Sequence, residues 1–141
     1  MKKISDILKV LSTNGFRITL IRKEVLSLIL KNNNPLSSLE IQKLLLKKKI
    51  KADKTTIYRE LEFLKSQGLI DGVQFSDKIR RYETSIGHHH HVVCLKCDRV
   101  EHIKLKGDLF REQKIIENNN KFKIISHSLE FYGLCPTCQA K

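Results

Sequence analysis

Four cysteines in two closely spaced pairs constrain the fold of this chain more than any other feature of its sequence. The pairs are Cys94-Leu95-Lys96-Cys97 and Cys135-Pro136-Thr137-Cys138, with 37 residues between them. Two thiolates of a CxxC pair can bind one Zn²⁺, and four thiolates complete a closed tetrahedral site. We therefore predict a structural zinc held by Cys94, Cys97, Cys135 and Cys138, which joins two segments separated by a folded insert. The alternative is that the second pair is a redox dithiol.

The expected surroundings of these cysteines favour metal over disulfide bonds. Lysines follow Met1, but no long apolar segment comes after them, so we expect neither a secretory signal nor a membrane-spanning helix. A cytoplasmic protein is then expected. In the reducing cytosol, paired cysteines bind metal more often than they form disulfides.

Charge is distributed unevenly along the 141 residues, which carry 27 Lys and Arg against 15 Asp and Glu. Residues 1–82 have 18 basic and 8 acidic side chains, a net +10, whereas residues 83–141 have 9 and 7, a net +2. Every cysteine and histidine lies in the second part. A basic surface favours a polyanionic partner, above all nucleic acid. We therefore predict two domains: residues 1–83 for DNA binding, and residues 84–141 for metal binding and dimerisation.

Hydrophobic periodicity predicts four helices in the basic half. The first ends near Asn14-Gly15, the second is capped by Thr19, the third starts at Ser37 or Ser38, and the fourth runs from about Lys54 to Gln67. Two short strands, 69–75 and 79–83, follow as a β-hairpin. This order is typical of a winged helix-turn-helix, so the predicted fold class is α+β.

The fourth helix is the candidate for reading DNA in the major groove. Its outward faces carry Thr55, Thr56, Tyr58 and Arg59. Arg59 suits a base or phosphate contact, and the hydroxyl groups suit phosphate. The alternative is a helical bundle whose polar face is merely solvated.

The second half predicts a small α/β module. Strands are expected from Val92 to Cys94, Val100 to Leu105 and Phe122 to Tyr132, with a helix from about Leu109 that ends at residues 118–120. Such a module is too thin to cover both faces of its sheet, so pairing with a second copy is expected.

A run of four histidines, residues 88–91, precedes the first of these strands. Side chains alternate between the faces of a strand, so one run can supply two metal sites with two imidazoles each. The first face gives the candidate regulatory set Glu83, His89, His91 and His102. The second gives an additional set of His88, His90, Glu101 and His127, with Asp108 or Glu112 as other candidates for the carboxylate. Imidazole and carboxylate ligands suit Fe²⁺, Zn²⁺ or Mn²⁺.

Simpler interpretations of the histidines stay open. The run can be inert surface, and His127 can be an ordinary strand histidine. Metal at the first face would join Glu83, at the end of the basic half, to histidines of the other half. A metal-dependent shift between DNA-competent and incompetent arrangements is therefore expected.

Together these residues resemble the ferric uptake regulator (Fur) family of bacterial metal-dependent repressors over nearly the whole chain. The similar segments are residues 15–19 with Arg22, residues 55–59 with Leu61, Arg81-Tyr82-Glu83, residues 88–97 and residues 127–138. The resemblance implies a homodimer that binds a palindromic DNA operator and represses genes when metal is bound. It places the structural zinc and the regulatory metal on the sets given above, and the additional site on His88, His90 and His127 with its carboxylate left open. It places the DNA contacts on Tyr58 and Arg59, with Arg17 as a basic contact near the N-terminus.

Several positions depart from the family's usual pattern, among them Leu20-Ile21 in place of the usual Pro-Gln before Arg22. Members that sense iron or peroxide commonly have a His before the third helix, where this chain has Asn34-Pro35. His102 replaces a usual Asp or Glu, and Leu109 aligns with the carboxylate of the additional site. The reduced ligand set keeps an alternative open: a constitutive zinc-stabilised DNA-binding protein whose His cluster only buffers metal. The choice among iron, zinc and manganese also stays open.

A zinc hydrolase or nucleobase deaminase is disfavoured. No histidine of the chain has Glu two residues later, and the sequence has no H-E-x-x-H. We therefore expect no catalytic residues and no small-molecule substrate.

Overall fold

The computed structural model describes residues 3–85, 89–107 and 109–141. The chain divides into two compact units, Met1–Ser85 and Ile86–Lys141, and each contains helices and a three-stranded sheet. The predicted α+β class is confirmed. DNA binding by the first half, and metal binding and dimerisation by the second, stay predictions. Within the described ranges, no helix combines the length and the apolar character needed to cross a membrane.

The first unit is built from four helices and a small sheet. Its elements are α1 (Ile4–Thr13), α2 (Leu20–Lys31), β1 (Leu36–Ser37), α3 (Ser38–Lys47), α4 (Lys54–Ser66), β2 (Ile70–Gln74) and β3 (Arg80–Thr84). Apolar side chains from all four helices pack into a buried core, because their spacing places them on one face of each helix.

Side-chain caps start α2, α3 and α4 where the sequence predicts them. Thr19 and Asp53 each accept a hydrogen bond from the backbone N–H three residues later, at 3.1 and 2.7 Å. Ser37 and Glu40 form a capping box, in which each side chain accepts from the backbone N–H of the other. Gly68 follows α4 with φ +68°, a conformation that glycine adopts without steric cost.

A two-residue strand that the sequence pattern does not indicate enlarges the predicted hairpin to three strands. β1 pairs antiparallel with β3, so that Leu36 lies opposite Tyr82. β3 also pairs with β2 and is the central strand. Tyr82 is consequently only 2 % exposed, and the hairpin is anchored to the segment that precedes α3.

One carboxylate holds the turn between β2 and β3. Asp77 accepts hydrogen bonds from Nη1 and Nη2 of Arg81 at 3.2 and 2.7 Å, and from the N–H of Ile79 at 3.0 Å. The Arg81 guanidinium lowers the pKa of Asp77 below its usual value. Lys78 has a left-handed φ of +61° and its N–H donates to the carbonyl of Phe75. The turn therefore has a defined conformation.

In residues 89–107 and 109–141, the second unit has a sheet, one longer helix and one short helix. Its elements are β4 (His90–Cys94), β5 (Val100–Ile103), α5 (Phe110–Asn120), β6 (Glu130–Gly133) and α6 (Pro136–Gln139). The central strand β4 is antiparallel to β5 and parallel to β6. A parallel pair needs a long crossover connection, and the segment between β5 and β6 that provides it contains α5.

The sequence predicts a strand from Phe122 to Tyr132, and this is wrong for residues 122–129, which are all described and lie outside both sheets. The N–H of Ile124 donates instead to the carboxylate of Glu117 in α5, at 3.0 Å. Leu109, predicted within α5, precedes it as the N-cap residue with a left-handed φ of +53°, and its carbonyl accepts a hydrogen bond from the N–H of Gln113 at 2.8 Å.

We expect Asp77→Asn to lower the free energy of unfolding of the first unit by about 1–2 kcal/mol near neutral pH, because the charged bonds to Arg81 are weakened. The pKa of Asp77 is lowered on folding. Its stabilising effect is therefore present above the unfolded-state pKa and is lost as the pH falls through the folded-state pKa. Denaturant unfolding followed by circular dichroism should show a difference in the free energy of unfolding between the wild type and Asp77→Asn, and this difference should disappear in acid. Asp71→Asn, at an exposed carboxylate of β2, is the control, and an equal loss there would contradict the assignment.

Candidate metal centres and nucleic-acid interface

The four cysteines meet at one end of the second sheet. Cys94 ends β4, Cys97 lies in the following turn, Cys135 precedes α6 and Cys138 lies within it. Their sulfur atoms all lie within 4.8 Å of one another, and Sγ of Cys97 is 3.7 Å from Sγ of Cys135. Tetrahedral Zn–S bonds of about 2.3 Å place sulfur atoms about 3.8 Å apart. The donor set and its spacing therefore fit one Zn²⁺.

Backbone N–H groups around this cluster favour thiolates. The N–H of Cys135 donates to Sγ of Cys94 at 3.3 Å and, with other N–H groups, lowers the pKa of Cys94 to about 6. The N–H of Cys138 lowers the pKa of Cys135 in the same way. The pKa of Cys138 is raised to about 12, because its thiol hydrogen-bonds to Cys135 and is buried. At Cys94 and Cys135 the protein thus stabilises the thiolate, which is the form that binds metal.

The clustering also bears on the redox alternative for Cys135 and Cys138. All four cysteines are free thiols, and both pairs contribute to the same cluster. A redox dithiol needs only one pair, so the arrangement favours zinc.

Three histidines of the second unit form a separate cluster. His91 in β4 lies opposite His102 in β5. The ring centroid of His89 is 4.8 Å from that of His91 and 4.6 Å from that of His102, and the last two are 5.2 Å apart. Their ligand nitrogen atoms lie within 4.8 Å of one another. The three imidazoles lie on one side of the strand pair, as the alternation predicts, and suit a divalent transition metal.

The other face of β4 brings His90 together with His127. Their rings are stacked at 27° with centroids 5.5 Å apart, and His90 is 3 % exposed. The carboxamide of Gln113, in α5, contacts Nδ1 of His127. Sequence reasoning missed Gln113, because a single glutamine in a helix belongs to no ligand motif.

Among the carboxylates considered for this face, Glu101 lies opposite Val92, two residues from His90 along β4. Glu101 is exposed on β5 and is 3.8 Å from Arg99, and Glu112 is exposed on α5. Among the residues that the structure describes, neither joins a group of three or more possible metal ligands. His88 and Asp108 lie outside the described residues.

The residues predicted to contact DNA lie on the surface of the first unit. In the first two turns of α4, all of the predicted contact residues are exposed: Thr55, Thr56, Tyr58 and Arg59. Ile57 and Leu61 of the same helix are fully buried, so α4 presents a polar face outward. Arg17 is exposed in the loop before α2, and Glu83 lies in β3, where it is buried.

Sequence and fold are both similar to those of ferric uptake regulators. Residues 13–132 match the Ferric uptake regulator family. The chain is 34 % identical to the ferric uptake regulation protein of Bacillus subtilis, over 99 % of this chain and 96 % of the relative. It is 36 % identical to that of Legionella pneumophila, over 89 % and 93 %. The structure of the Helicobacter pylori ferric uptake regulator Fur aligns with a TM-score of 0.81 at 26 % identity, over 98 % of this chain and 95 % of that one.

A winged helical unit followed by a unit with a thiol cluster and an imidazole cluster is the architecture of a metal-responsive regulator of transcription. The chain belongs to the ferric uptake regulator family. The resemblance seen in the sequence is thereby confirmed. Members of this family are transcription regulators, not enzymes.

Cys97→Ser should remove zinc and, with it, the order of the second unit. Binding of a structural zinc contributes directly to folding, and α5 buries none of its side chains within the chain. Elemental analysis should fall from about one Zn²⁺ per chain to well below that value, and limited proteolysis should cleave the second unit first. His127→Ala should keep its zinc. A Cys97→Ser variant that keeps its zinc content and its resistance to proteolysis would contradict a four-sulfur site.

Proposed function

We propose that this protein is a cytoplasmic repressor of transcription that binds a palindromic operator in double-stranded DNA as a metal-loaded homodimer. Its structural zinc is held by Cys94, Cys97, Cys135 and Cys138, and the sensed metal by Glu83, His89, His91 and His102. The observation that carries the proposal is the cluster of three imidazoles in the second unit. Nitrogen donors separate from the thiolates bind metal more loosely, so their occupancy can follow its concentration.

The surface of the first unit supports DNA as the partner. The exposed face of α4 carries hydroxyl groups, a phenol and a guanidinium, from Thr55, Thr56, Tyr58 and Arg59. Groups of this kind contact phosphates and base edges in the major groove. Arg17 adds an exposed cation, and the net +10 of residues 1–82 attracts the phosphate backbone.

Glu83 is the proposed link between metal and DNA binding. It belongs to β3 of the first unit, whereas the three histidines belong to the second. A metal with ligands from both units restricts their arrangement and shifts the population toward a DNA-competent state. Fe²⁺ or Zn²⁺ is the proposed metal, with Mn²⁺ as a further candidate, because all three accept nitrogen and carboxylate ligands.

An additional metal site is proposed on the other face of β4, from His88, His90, Glu101 and His127. The contact between His90 and His127 supports it. The Helicobacter pylori regulator is described as having three functional metal binding sites. Glu101 pairs with Arg99 and Leu109 replaces the expected carboxylate, so we propose weaker binding here than at the regulatory site.

A homodimer is supported by apolar side chains that the second unit leaves exposed. The exposed fraction is 64 % for Phe110, 72 % for Phe122 and 92 % for Ile125. Phe131 and Tyr132 of β6 are also exposed. Apolar surface of this extent usually marks a protein interface, and a second copy of the chain offers a matching one.

The alternative is a constitutive, zinc-stabilised DNA-binding protein whose histidines only buffer metal. Asn34-Pro35 favours it, because the resemblance implies a histidine ligand at that place. The two proposals differ in one measurable property, the dependence of operator binding on a second metal.

Binding of the regulatory metal should tighten operator binding roughly 10- to 100-fold, because the metal-loaded arrangement is the one that fits DNA. Operator duplexes are first selected from random DNA with metal-loaded protein. Fluorescence anisotropy then measures Kd with Fe²⁺ under anaerobic conditions, with Zn²⁺, with Mn²⁺, and after mild chelation that leaves the structural zinc. Equal affinity in all samples would favour the constitutive alternative.

His91→Ala should abolish this metal response while zinc content and metal-free DNA binding stay unchanged. The reason is that His91 belongs to the imidazole cluster and not to the thiol cluster. Calorimetric metal titration and anisotropy measure the two properties. His127→Ala is the control and should keep the greater part of the response. A full metal response in His91→Ala would place the regulatory site elsewhere.

A further inference from the structure

One arginine connects three segments of the first unit. Arg22, in α2, donates from Nε and Nη2 to the two carboxylate oxygens of Glu60 in α4, with the second bond at 3.5 Å. Its Nη1 donates to the backbone carbonyl of Arg17 at 2.6 Å. The guanidinium carbon also lies 3.8 Å from the ring centroid of Phe63 in α4. The contacts therefore join the Arg17 loop, α2 and α4.

Arg22 and Glu60 are not available as DNA contacts themselves. Their side chains are only 14 % and 13 % exposed, and every guanidinium nitrogen of Arg22 donates within the chain. Arg17 and Arg59, in contrast, are exposed. This largely buried pair can therefore affect DNA binding only by setting the positions of Arg17 and Arg59.

The loop that carries Arg17 is held against α4 at a second point as well. Phe16 packs edge-on against Phe63, with ring centroids 5.0 Å apart. The Arg22 bond to the carbonyl of Arg17 fixes the next residue of the loop. Glu60 directly follows Arg59 in α4, so one ion pair ties the loop to the turn that carries the proposed base contact.

We propose that Arg22 and Glu60 are positioning residues that fix the Arg17 loop relative to α4. Arg17 and Arg59 are then already in place when duplex DNA binds. This rests on the proposed function, in which Arg17 and Arg59 contact DNA. Ordering the loop before binding avoids paying its conformational entropy on the DNA. Lysine cannot replace Arg22, because its ammonium lacks the planar fork that reaches several acceptors at once.

The negative charge of Glu60 allows two effects to be told apart. Removing a carboxylate from a DNA-binding unit strengthens DNA binding if the only effect is electrostatic. Loss of the contact with Arg22, in contrast, should weaken DNA binding. Glu60→Gln is therefore compared with Glu24→Gln, which removes the same charge from another ion pair of the same unit, with Lys48 at 2.7 Å.

We expect Glu60→Gln and Arg22→Lys to weaken binding to the selected operator duplex roughly three- to tenfold, whereas Glu24→Gln binds equally or more tightly. The slope of log association constant against log salt concentration should become less negative by about one, as expected when one phosphate contact is lost. Partial unfolding would lower the active fraction without changing this slope. Arg17→Ala should cost less in the Arg22→Lys background than in the wild type, because the contact is already lost.

The outcomes separate the two proposals. If the wild-type protein selects no operator, the proposed function fails. If it selects one, and Glu60→Gln binds as tightly as Glu24→Gln with an unchanged salt slope, the positioning role is overturned and DNA binding stands. If the losses of DNA-binding free energy of Arg17→Ala and Arg22→Lys are fully additive in the double variant, the positioning role is also overturned.

Discussion

The second unit depends for its stability on one interaction, the binding of a structural zinc by four clustered cysteines. Within the described part of this unit, few apolar side chains are buried, among them Val93 and Val100, and α5 buries none. A core of this size seldom stabilises a small fold without a metal or a partner. Zinc at the cysteines would join the end of β4 to the segment before α6, and so keep β6 beside β4. The first unit differs, because its helices enclose a core of their own.

Strand pairing separates the metal chemistry of the second unit into distinct places. The alternation of side chains along β4 sends His90 and His91 to opposite faces, and the register with β5 sets His91 opposite His102. The sulfur ligands gather at the strand end, and the imidazoles of His89, His91 and His102 gather on one face. A tightly held structural ion and a more loosely held one can therefore coexist in a small unit. Such a division suits a protein that must stay folded while one metal site empties.

One departure of this chain from its family has a structural counterpart. Leu109 stands before α5 in a left-handed conformation, and Gln113, one turn into the helix, contacts His127 instead. In the first unit, Arg22, which belongs to the segments similar to the family, forms a partly buried, hydrogen-bonded ion pair with Glu60. Gln113 and this ion pair both lie beside proposed functional groups and support their positions.

Local signals in the sequence determined the four N-terminal helices, their caps at Thr19, Ser37 and Asp53, the β-hairpin and the thiol ligand set. Each of these depends on residues a few positions apart, or on a spacing typical of zinc sites. The tertiary structure alone decided the added strand β1, the short β6, the contact of Gln113 with His127 and the Arg22–Glu60 pair. These depend on partners far apart in the chain, such as Arg22 and Glu60, whose meeting follows from how α2 packs on α4. Periodicity reports which face of a helix is apolar, but not which polar groups meet at its edge once that face is buried.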